Sequence, residues 1–292
     1  MAKLFGEVPG NPIGSTFASR AALSQARVHR PLIGGISGNG REGADSIVVS
    51  GGYIDDEDFG DELIYTGHGG NDPATKQQIA DQELDAPGNA GLARSQLDGL
   101  PVRVIRGAAG NPAHSPSVGF RYDGLFRVTN HWSKPGRDGY RIWQFHLVQL
   151  DESETTTQSS ELQPPPGTMG PVPRSTAVVQ RQIRNSAVTE AVKRWHAYRC
   201  QVCGITLQVA AGPYAEGAHI RPLGRPHLGP DVPENVLCLC PNDHVRLDNG
   251  AIYLLDDFTI VDARTGGKLG VLHREYHHRI DRAFIQYHRE LW

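Results

Sequence analysis

The sequence predicts an α+β protein of two domains joined by a linker. The first half holds short runs of β-branched and aromatic residues broken by glycine, and the middle is rich in Ser, Thr and Pro. The second half clusters cysteines and histidines between two amphipathic stretches. The 292 residues are enough for two domains of ordinary size. We expect an N-terminal β-barrel with flanking helices and a small C-terminal metal-binding domain.

The first domain, residues 1–152, is predicted to be mostly strands. Alternating apolar and polar residues, with β-branched and aromatic side chains, are typical of strands that are buried on one face. A closed or half-closed barrel accommodates several such strands. The expected strands lie near residues 46–53, 63–67, 100–107, 122–128 and 140–150, and the expected helices near 17–28 and 76–97.

Residues 153–175 are predicted to be an extended linker. They are dominated by Ser, Thr and Pro and include the run Pro164–Pro166. Few apolar side chains are present to anchor the segment to a core. The second domain is therefore expected to cover residues 176–292.

Amphipathic stretches open and close the second domain. Apolar residues at a spacing of four predict helices that bury one stripe. For the second stripe we favour core packing, and a helix that binds a partner is the alternative. The first stripe comprises Val179, Ile183, Ala187, Ala191 and Trp195, and the second Leu272, Tyr276, Ile280, Phe284, Tyr287 and Leu291.

Composition excludes several classes of protein. No run of about 18 apolar residues is present, which excludes a membrane span, and the first residues lack the apolar core of a secretory signal. A cytoplasmic protein is expected. The net charge of −3 excludes DNA binding by bulk positive charge, so any DNA contact must use local patches.

All four cysteines lie in the second domain, which favours a metal site over disulfides. Cys200 and Cys203 form a CxxC turn that supplies two adjacent corners of a tetrahedron. Cys238 and Cys240 are two apart, so on a strand they would share a face and supply the other two. Asp243 in place of Cys238 is the alternative. In either case the predicted zinc is structural.

The histidines of this domain point to phosphodiester hydrolysis. That reaction needs a base near an attacking water and a metal ion at the scissile phosphate. His219 fits the base, and Asn235 fits a brace for its loop. His244 and Asp248 are four apart on a predicted helix, so they can share a divalent ion.

In its order of motifs, this region resembles the HNH nuclease family, a ββα-metal fold with a zinc knuckle, over about residues 195–255. The matching pieces are CQVC, AHI, PEN and CPNDH. The resemblance implies His219 as general base, Asn235 as the middle residue and His244 as a ligand of Mg²⁺ or Mn²⁺. It departs at Ala218, where Asp or His is common, and at Asp248, where His is common.

The first domain carries a glycine-rich constellation, GGYIDDEDFG followed by LIYTGHGG. Tyr53, Asp56, Tyr65 and Thr66 could together form a pocket for a flat heterocycle with an exocyclic amine, such as cytosine. Burying such a base from duplex DNA requires flipping it out of the stack. The alternative is a glycine-rich hairpin with surface acids and core tyrosines.

These motifs, with VHRPLIGGISG, GLPVRVIRG and RYDGLFRV, resemble the SRA (or YDG) domain over about residues 5–150. That family is a β-barrel that flips a modified cytosine into a pocket. The resemblance implies that two tyrosines stack on the base, that Asp56 and Thr66 bond its edge, and that Ser50 and Gly52 lie beside the methyl group. It places Ile33 on a loop that fills the vacated space.

An SRA reader joined to an HNH nuclease resembles bacterial modification-dependent restriction endonucleases. We therefore expect an enzyme that flips 5-methylcytosine in double-stranded DNA and hydrolyses nearby phosphodiesters. A methyl-DNA reader with a degenerate nuclease domain is the alternative. Because one HNH site cuts one strand, a homodimer is also expected.

Overall fold

The computed structural model describes residues 3–72, 74–75, 77–150 and 186–292. The chain divides into two compact units, Met1–Val178 and Val179–Trp292. The predicted linker, residues 153–175, lies outside the described residues. Within the described part of the chain, no helix has both the length and the apolar character needed to cross a bilayer.

The N-terminal unit is built on strands, as predicted. The second predicted helix, residues 76–97, is wrong in its first half because the backbone there bonds to other segments. Ile79 N–H donates to the Gly70 carbonyl (2.7 Å) and Gln82 N–H to the Arg141 carbonyl (2.8 Å). The elements are β1 (Thr16–Phe17), α1 (Arg20–Gln25), β2 (Ile36–Asn39), β3 (Gly43–Val49), β4 (Glu57–Asp58), β5 (Glu62–Thr66), α2 (Pro87–Asp98), β6 (Pro101–Gly107), β7 (Phe120–Pro135) and β8 (Arg141–Gln149).

All eight strands of this unit join one sheet, in the order β2-β3-β6-β7-β8-β5-β4, with β1 paired to β7. The β3–β6 pair is parallel and the other pairs are antiparallel. Within the described residues the two ends of this path, β2 and β4, do not pair with each other. The sheet is therefore not a closed barrel. Of the closed and half-closed barrels expected from the sequence, only the half-closed one is compatible with this strand order.

A buried guanidinium joins the sheet to the segments that precede it. Arg103 on β6 is fully buried and pairs with Asp45 on β3 (Nη2 to Oδ2, 2.8 Å). Its other donors reach the carbonyls of Leu4 (2.8 Å), Gly6 (2.7 Å) and Val28 (3.0 Å). These acceptors lie in three parts of the chain, residues 4–6, Val28 and β3, so one side chain joins three segments to its own strand.

The C-terminal unit contains a β-hairpin followed by a helix, the ββα arrangement that was predicted. A 3₁₀ turn, Pro233–Asn235, leads into the second strand of that hairpin. The elements are α3 (Ser186–Trp195), β9 (Leu207–Val209), β10 (Gly212–Tyr214), β11 (Glu216–His219), β12 (Val236–Leu239), α4 (Pro241–Asp248), β13 (Ile252–Leu254), β14 (Thr259–Asp262), β15 (Lys268–Val271) and α5 (Arg282–Glu290).

The helical stripes of this unit differ from the prediction. On α3 the buried face carries Val192 and the partly buried Val188, one position away from the predicted stripe. One residue is about 100° of rotation on a helix, so the predicted positions Ala187, Ala191 and Trp195 are turned from the buried face. Val179 and Ile183 of the same stripe lie outside the described residues. The second stripe is helical only within α5. Before it, Leu272 N–H donates to the Phe258 carbonyl (2.9 Å), whereas Tyr276 is 96% exposed.

We expect Arg103→Met to lower the free energy of unfolding of the N-terminal unit by about 3–5 kcal/mol, because it leaves the buried Asp45 with only its longer contact to Arg30 (3.5 Å). Hydrogen exchange of β3 and β6 along a urea titration measures this. The matched control is Arg94→Met, which removes an exposed pair with Asp98 and is expected to cost under about 1 kcal/mol. Equal losses in the two variants would contradict the role of Arg103.

Candidate functional site

Three cysteines and one aspartate in the C-terminal unit converge with the spacing of a metal site. One ligand atom from each of Cys200, Cys203, Cys240 and Asp243 lies within 4.8 Å of all the others. The Cys203 and Cys240 sulfurs are 3.7 Å apart, and Asp243 Oδ2 is 3.3 Å from Cys200 Sγ and 3.4 Å from Cys240 Sγ. Zinc–sulfur bonds of about 2.3 Å give tetrahedron edges of roughly 3.7 Å, so this donor set fits a four-coordinate metal.

Cys238, preferred in the sequence analysis as the fourth ligand, does not lie in this group. β12 ends at Leu239 and Cys240 is the N-cap of α4, so the alternation of a strand does not continue to Cys240. Cys238 is buried in a separate apolar cluster with Val192, while Cys240 packs with the main core of the unit. Asp243, the alternative in the sequence analysis, is the fourth residue of the group.

Neighbouring groups orient the cluster. Gly204 N–H donates to the Cys200 carbonyl (2.9 Å), which closes the CxxC turn. Arg246 Nη1 donates to Asp243 Oδ1 (2.9 Å) and leaves Oδ2 facing the thiols. Burial would raise the pKa of Asp243, but hydrogen bonds from the three thiols outweigh it and lower the pKa. A metal ion would take the place of these thiol protons.

His219 ends β11, where it pairs with Val236 of β12. Its Nε2 lies 3.0 Å from Asp231 Oδ1, and only 8% of its side chain is exposed. A carboxylate on one ring nitrogen fixes the tautomer and leaves the other nitrogen able to accept a proton. This is the arrangement that a general base requires.

Asn235 closes the loop between His219 and the 3₁₀ turn. Its Oδ1 accepts from Arg221 N–H (2.8 Å), and its Nδ2 donates to the carbonyls of Arg221 (2.9 Å) and Pro230 (2.8 Å). Asn235 is fully buried and all of these partners are backbone groups. The side chain thus fixes the backbone on both sides of the loop that follows His219.

His244 on α4 lies between two carboxylates. Its Nε2 is 3.3 Å from Asp248 Oδ2 and its Nδ1 is 2.7 Å from Glu216 Oε2. Burial lowers the pKa of His244, but hydrogen bonds and charges from Asp248 and Glu216 outweigh it and raise the pKa to about 9. Two carboxylates around one imidazole suit a divalent cation, which would displace that proton.

Ala218, the position where the family often has a ligand, is fully buried in the core. Glu216 lies two residues earlier on the same face of β11 and reaches His244 instead. Within the described residues, His219 makes no hydrogen bond with His244 or Asp248, and separate carboxylates, Asp231 and Glu216, contact the two histidines.

The N-terminal unit contains a cavity of about 460 Å³ that Tyr53 and Asp56 line. Tyr53 Oη accepts from Gly69 N–H (3.2 Å), which holds the ring at the cavity wall. The volume lies in the range of small-molecule pockets. Val49, Gly51, Phe59 and Pro112 are among the other lining residues.

Asp56 is the polar centre of this cavity. Its Oδ1 accepts from Thr66 N–H (2.7 Å), while the buried Thr66 hydroxyl lies near the same carboxylate without a well-formed hydrogen bond among the described residues. Burial raises the pKa of Asp56 to about 7, and the charges of Asp55 and Asp58 add to it. The contacts with Thr66 lower the pKa of Asp56, but they do not offset the effect of burial.

The other predicted pocket residues, Tyr65, Thr66, Ser50 and Gly52, do not line this cavity themselves, although Ser50 and Gly52 flank the lining residue Gly51 and Thr66 N–H bonds to Asp56. Tyr65 is buried on β5, where burial, then Asp56 and Tyr53, raise its pKa well above the usual value. A Cβ on Gly35 would lie 2.6 Å from Tyr65 Oη, so glycine is needed for this ring to fit. Ser50 and Gly52 lie in the turn after β3.

The loop that carries Ile33 projects from the unit. Ile33 is 95% exposed and Leu32 is 61% exposed. The Arg20 guanidinium donates to the carbonyls of Leu32 (3.4 Å), Ile33 (2.9 Å) and Gly34. Two exposed apolar side chains thus sit on a backbone that is held at three successive residues.

Sequence reasoning missed three residues that organise these sites. Glu216 and Asp231 hold the two histidines, and Arg20 holds the projecting loop. The i, i+2 relation of Glu216 to Ala218 could have identified Glu216. Asp231 and Arg20 are separated from their partners by loops, so no spacing rule indicates them.

Comparisons with known proteins agree with this geometry. Residues 4–153 match the SAD/SRA domain and residues 200–254 match an HNH endonuclease. A solved structure described as the modification-dependent TagI restriction endonuclease is 52% identical and covers 99% of this chain and 95% of its own, with a TM-score of 0.52.

Curated relatives match the N-terminal unit. The Xenopus laevis E3 ubiquitin-protein ligase UHRF1 is 34% identical over 177 residues, which cover 54% of this chain and 23% of that protein. A UHRF1-like protein of Cryptococcus neoformans is 41% identical over 161 residues, covering 51% of this chain and 47% of that protein. The chain thus spans less than half the length of these curated relatives.

The fold and the site define an endonuclease of the HNH class that carries a DNA-base-binding domain. The chain belongs to the SAD/SRA family, in the arrangement where an HNH endonuclease domain follows the SRA domain. The predicted SRA and HNH resemblances are confirmed.

Proposed function

We propose that this protein is a modification-dependent restriction endonuclease that flips 5-methylcytosine out of double-stranded DNA and hydrolyses phosphodiesters nearby. The observation that carries the proposal is the buried carboxylate of Asp56 in a cavity of base size, on the same chain as an HNH site. The 52% identity to the modification-dependent TagI restriction endonuclease supports the same activity.

In this proposal the cavity binds the flipped cytosine. Tyr53 and Tyr65 stack on its faces, Asp56 accepts from the N4 amine, and Thr66 bonds the same edge. Ser50 and Gly52 lie beside the C5 methyl group, where Gly52 leaves open space because an added Cβ would meet nothing within 4 Å. Thymine presents a carbonyl where cytosine has its amine, so it would face the carboxylate with an unpaired acceptor.

Ile33 fills the space that the flipped base vacates, and the rigid loop makes this insertion efficient. Unstacking a base step costs a few kcal/mol, and an inserted side chain offsets that cost only if it stays ordered. Arg20 restricts the loop before DNA binds, so less conformational entropy is lost on insertion.

The nuclease site divides the chemistry between its two histidines. His219 takes the proton of the attacking water at the ring nitrogen that does not face Asp231, and Asn235 holds the loop that sets its direction. His244 and Asp248 would hold Mg²⁺ or Mn²⁺, and Glu216 would orient the His244 ring. When bound, that ion stabilises charge on the scissile phosphate and leaving oxygen.

The cysteine cluster is proposed to hold one structural Zn²⁺ through Cys200, Cys203, Cys240 and Asp243. Three thiolates favour zinc over harder metals, and a full protein ligand set leaves no open coordination position.

We expect Cys240→Ser to lose about one equivalent of zinc per chain and to destabilise the C-terminal unit, because a structural site contributes folding free energy. Cys238→Ser is the matched control and should keep its zinc, since Cys238 packs outside the cluster. Metal analysis of both purified variants decides between the two ligand sets. Zinc loss in Cys238→Ser alone would restore the four-cysteine set.

His219→Ala should lower the cleavage rate of methylated plasmid by about 10²–10⁴-fold while binding of methylated DNA stays unchanged, because the base acts only in the chemical step. His273→Ala, an exposed histidine of the same unit, should cleave like the wild type. Cleavage of methylated but not unmethylated plasmid by the wild type also separates an enzyme from a reader with a degenerate nuclease. A wild-type rate in His219→Ala would rule out its assignment.

The affinity for methylated DNA should fall as the pH drops below about 7, by up to about tenfold per unit, because binding uses the ionised Asp56. The sign follows from the raised pKa: the acceptor is charged above pH 7 and neutral below it. Asp56→Asn should bind more weakly, and its affinity should not vary between pH 6 and 8. Fluorescence anisotropy with methylated and unmethylated duplexes measures both. Parallel pH profiles in the two proteins would refute the role of Asp56.

A homodimer would supply two nuclease sites for the two strands, since two-fold symmetry is the commonest arrangement. Analytical ultracentrifugation of the full chain, free and with methylated duplex, should show two chains per complex. A monomer under both conditions would remove this proposal.

A further inference from the structure

The C-terminal unit has a second cavity, of about 610 Å³, outside both sites described above. Three arginines line it, together with an aromatic side chain at its base and another at its rim. We define the arginine groove as Phe258, Arg274, Tyr276, Arg279 and Arg282. It lies beyond residue 254, where the match to the HNH endonuclease model ends.

The arginines of the groove form no ion pair among the described residues, although two acids, Glu275 and Asp281, share the cavity with them. Asp281 is engaged as the N-cap of α5, where its Oδ1 accepts from Ala283 N–H (2.9 Å). Among the described residues, none of the three guanidinium groups has a carboxylate within 4.0 Å. Three exposed charges therefore remain available to an anion.

Phe258 orients two of these arginines. The guanidinium carbon of Arg274 lies 4.0 Å from the centre of the Phe258 ring, and that of Arg282 lies 5.7 Å from it. The ring itself is 6% exposed and belongs to the core of the unit. A guanidinium that stacks on a fixed ring keeps its N–H donors directed outward at a lower cost in side-chain entropy.

Tyr276 adds an aromatic surface at the rim. It is 96% exposed, which leaves nearly all of its apolar ring in water. Aromatic side chains beside arginines are typical of surfaces that contact nucleic acid, where they pack on sugars and bases.

The groove connects by hydrogen bonds to the loop of the nuclease site. His278 Nε2 lies 3.0 Å from the Pro233 carbonyl, and Asp281 N–H donates to the Glu234 carbonyl (3.1 Å). The next residue is Asn235, which holds the loop that follows His219. The groove is therefore attached directly to the 3₁₀ turn that ends in Asn235.

We propose that the arginine groove binds backbone phosphates of duplex DNA beside the cleaved phosphodiester, independently of cytosine modification. Planar guanidinium groups bind phosphate oxygens in bidentate geometry. The proposal rests on the proposed nuclease function for its biological role, but its test uses unmethylated DNA and no cleavage.

The experiment measures the affinity of the full chain for an unmethylated 30-bp duplex without added Mg²⁺ or Mn²⁺, at several salt concentrations. Each lost phosphate contact should reduce the slope of log K against log salt by about 0.9, which is about eightfold in affinity at 0.1 M salt. Arg274→Gln with Arg282→Gln should lower the slope by about 2. Arg279→Gln alone, which leaves the Phe258 stacking intact, should lower it by about 1.

The charge-matched control replaces Arg264 and Lys268, two exposed residues of the β14–β15 hairpin outside the groove, with Gln. It should retain the wild-type slope. The ratio of methylated to unmethylated affinity should be the same in all variants, because the reader cavity is untouched. Loss of that ratio in the wild type would instead count against the proposed function.

An unchanged slope in both the folded Arg279→Gln variant and the double variant would overturn the proposal. If those variants also shift from dimer to monomer in ultracentrifugation, the groove is instead a surface for self-association.

Discussion

The N-terminal unit depends on one buried charge and its partners. A guanidinium without water must place its donors on protein acceptors, or the unit cannot close around it. Arg103 does so with one carboxylate and three carbonyls. Val28, one of those acceptors, begins the segment that leads to the projecting loop, and Asp45 lies on the strand that leads to the base cavity. The buried pair thus anchors the chain before the loop of Ile33 and the strand before the cavity of Asp56.

In the C-terminal unit, a neutral buried side chain rather than a charged one satisfies backbone groups. Asn235 is buried without charge, and its amide satisfies three backbone groups of the loop that follows His219. The cysteine cluster joins the CxxC turn to the start of α4, which carries His244. The hairpin and the helix of the ββα motif are thus held at both ends. His219 and His244 lie between these fixed points, with their side chains partly buried.

Carboxylates in three environments show how surroundings determine a role. Asp56 has few hydrogen-bond donors, so burial raises its pKa to about 7. A ligand with an amine would supply a further donor to this carboxylate. Asp243 faces three thiols, whose hydrogen bonds lower its pKa despite burial. For Glu216, burial acts to raise the pKa, and the hydrogen bond from His244 outweighs it and lowers the pKa. The first suits a base reader, the second a metal cluster and the third the orientation of a ligand.

The sequence by itself determined the two domain types, most strands of the sheet and the positions of His219, Asn235 and His244, because each depends on local pattern or short motif spacing. It also determined that His244 and Asp248 share a helix face, since four residues are one turn. Only the tertiary structure decided that Asp243 joins the cluster in place of Cys238, because the end of β12 breaks the alternation of faces. It alone decided that residues 272–281 are not helical, that the sheet is not closed, and that Asp231, Glu216 and Arg20 contact His219, His244 and the Ile33 loop. Those contacts join residues that loops separate, and no local spacing rule specifies where a loop returns.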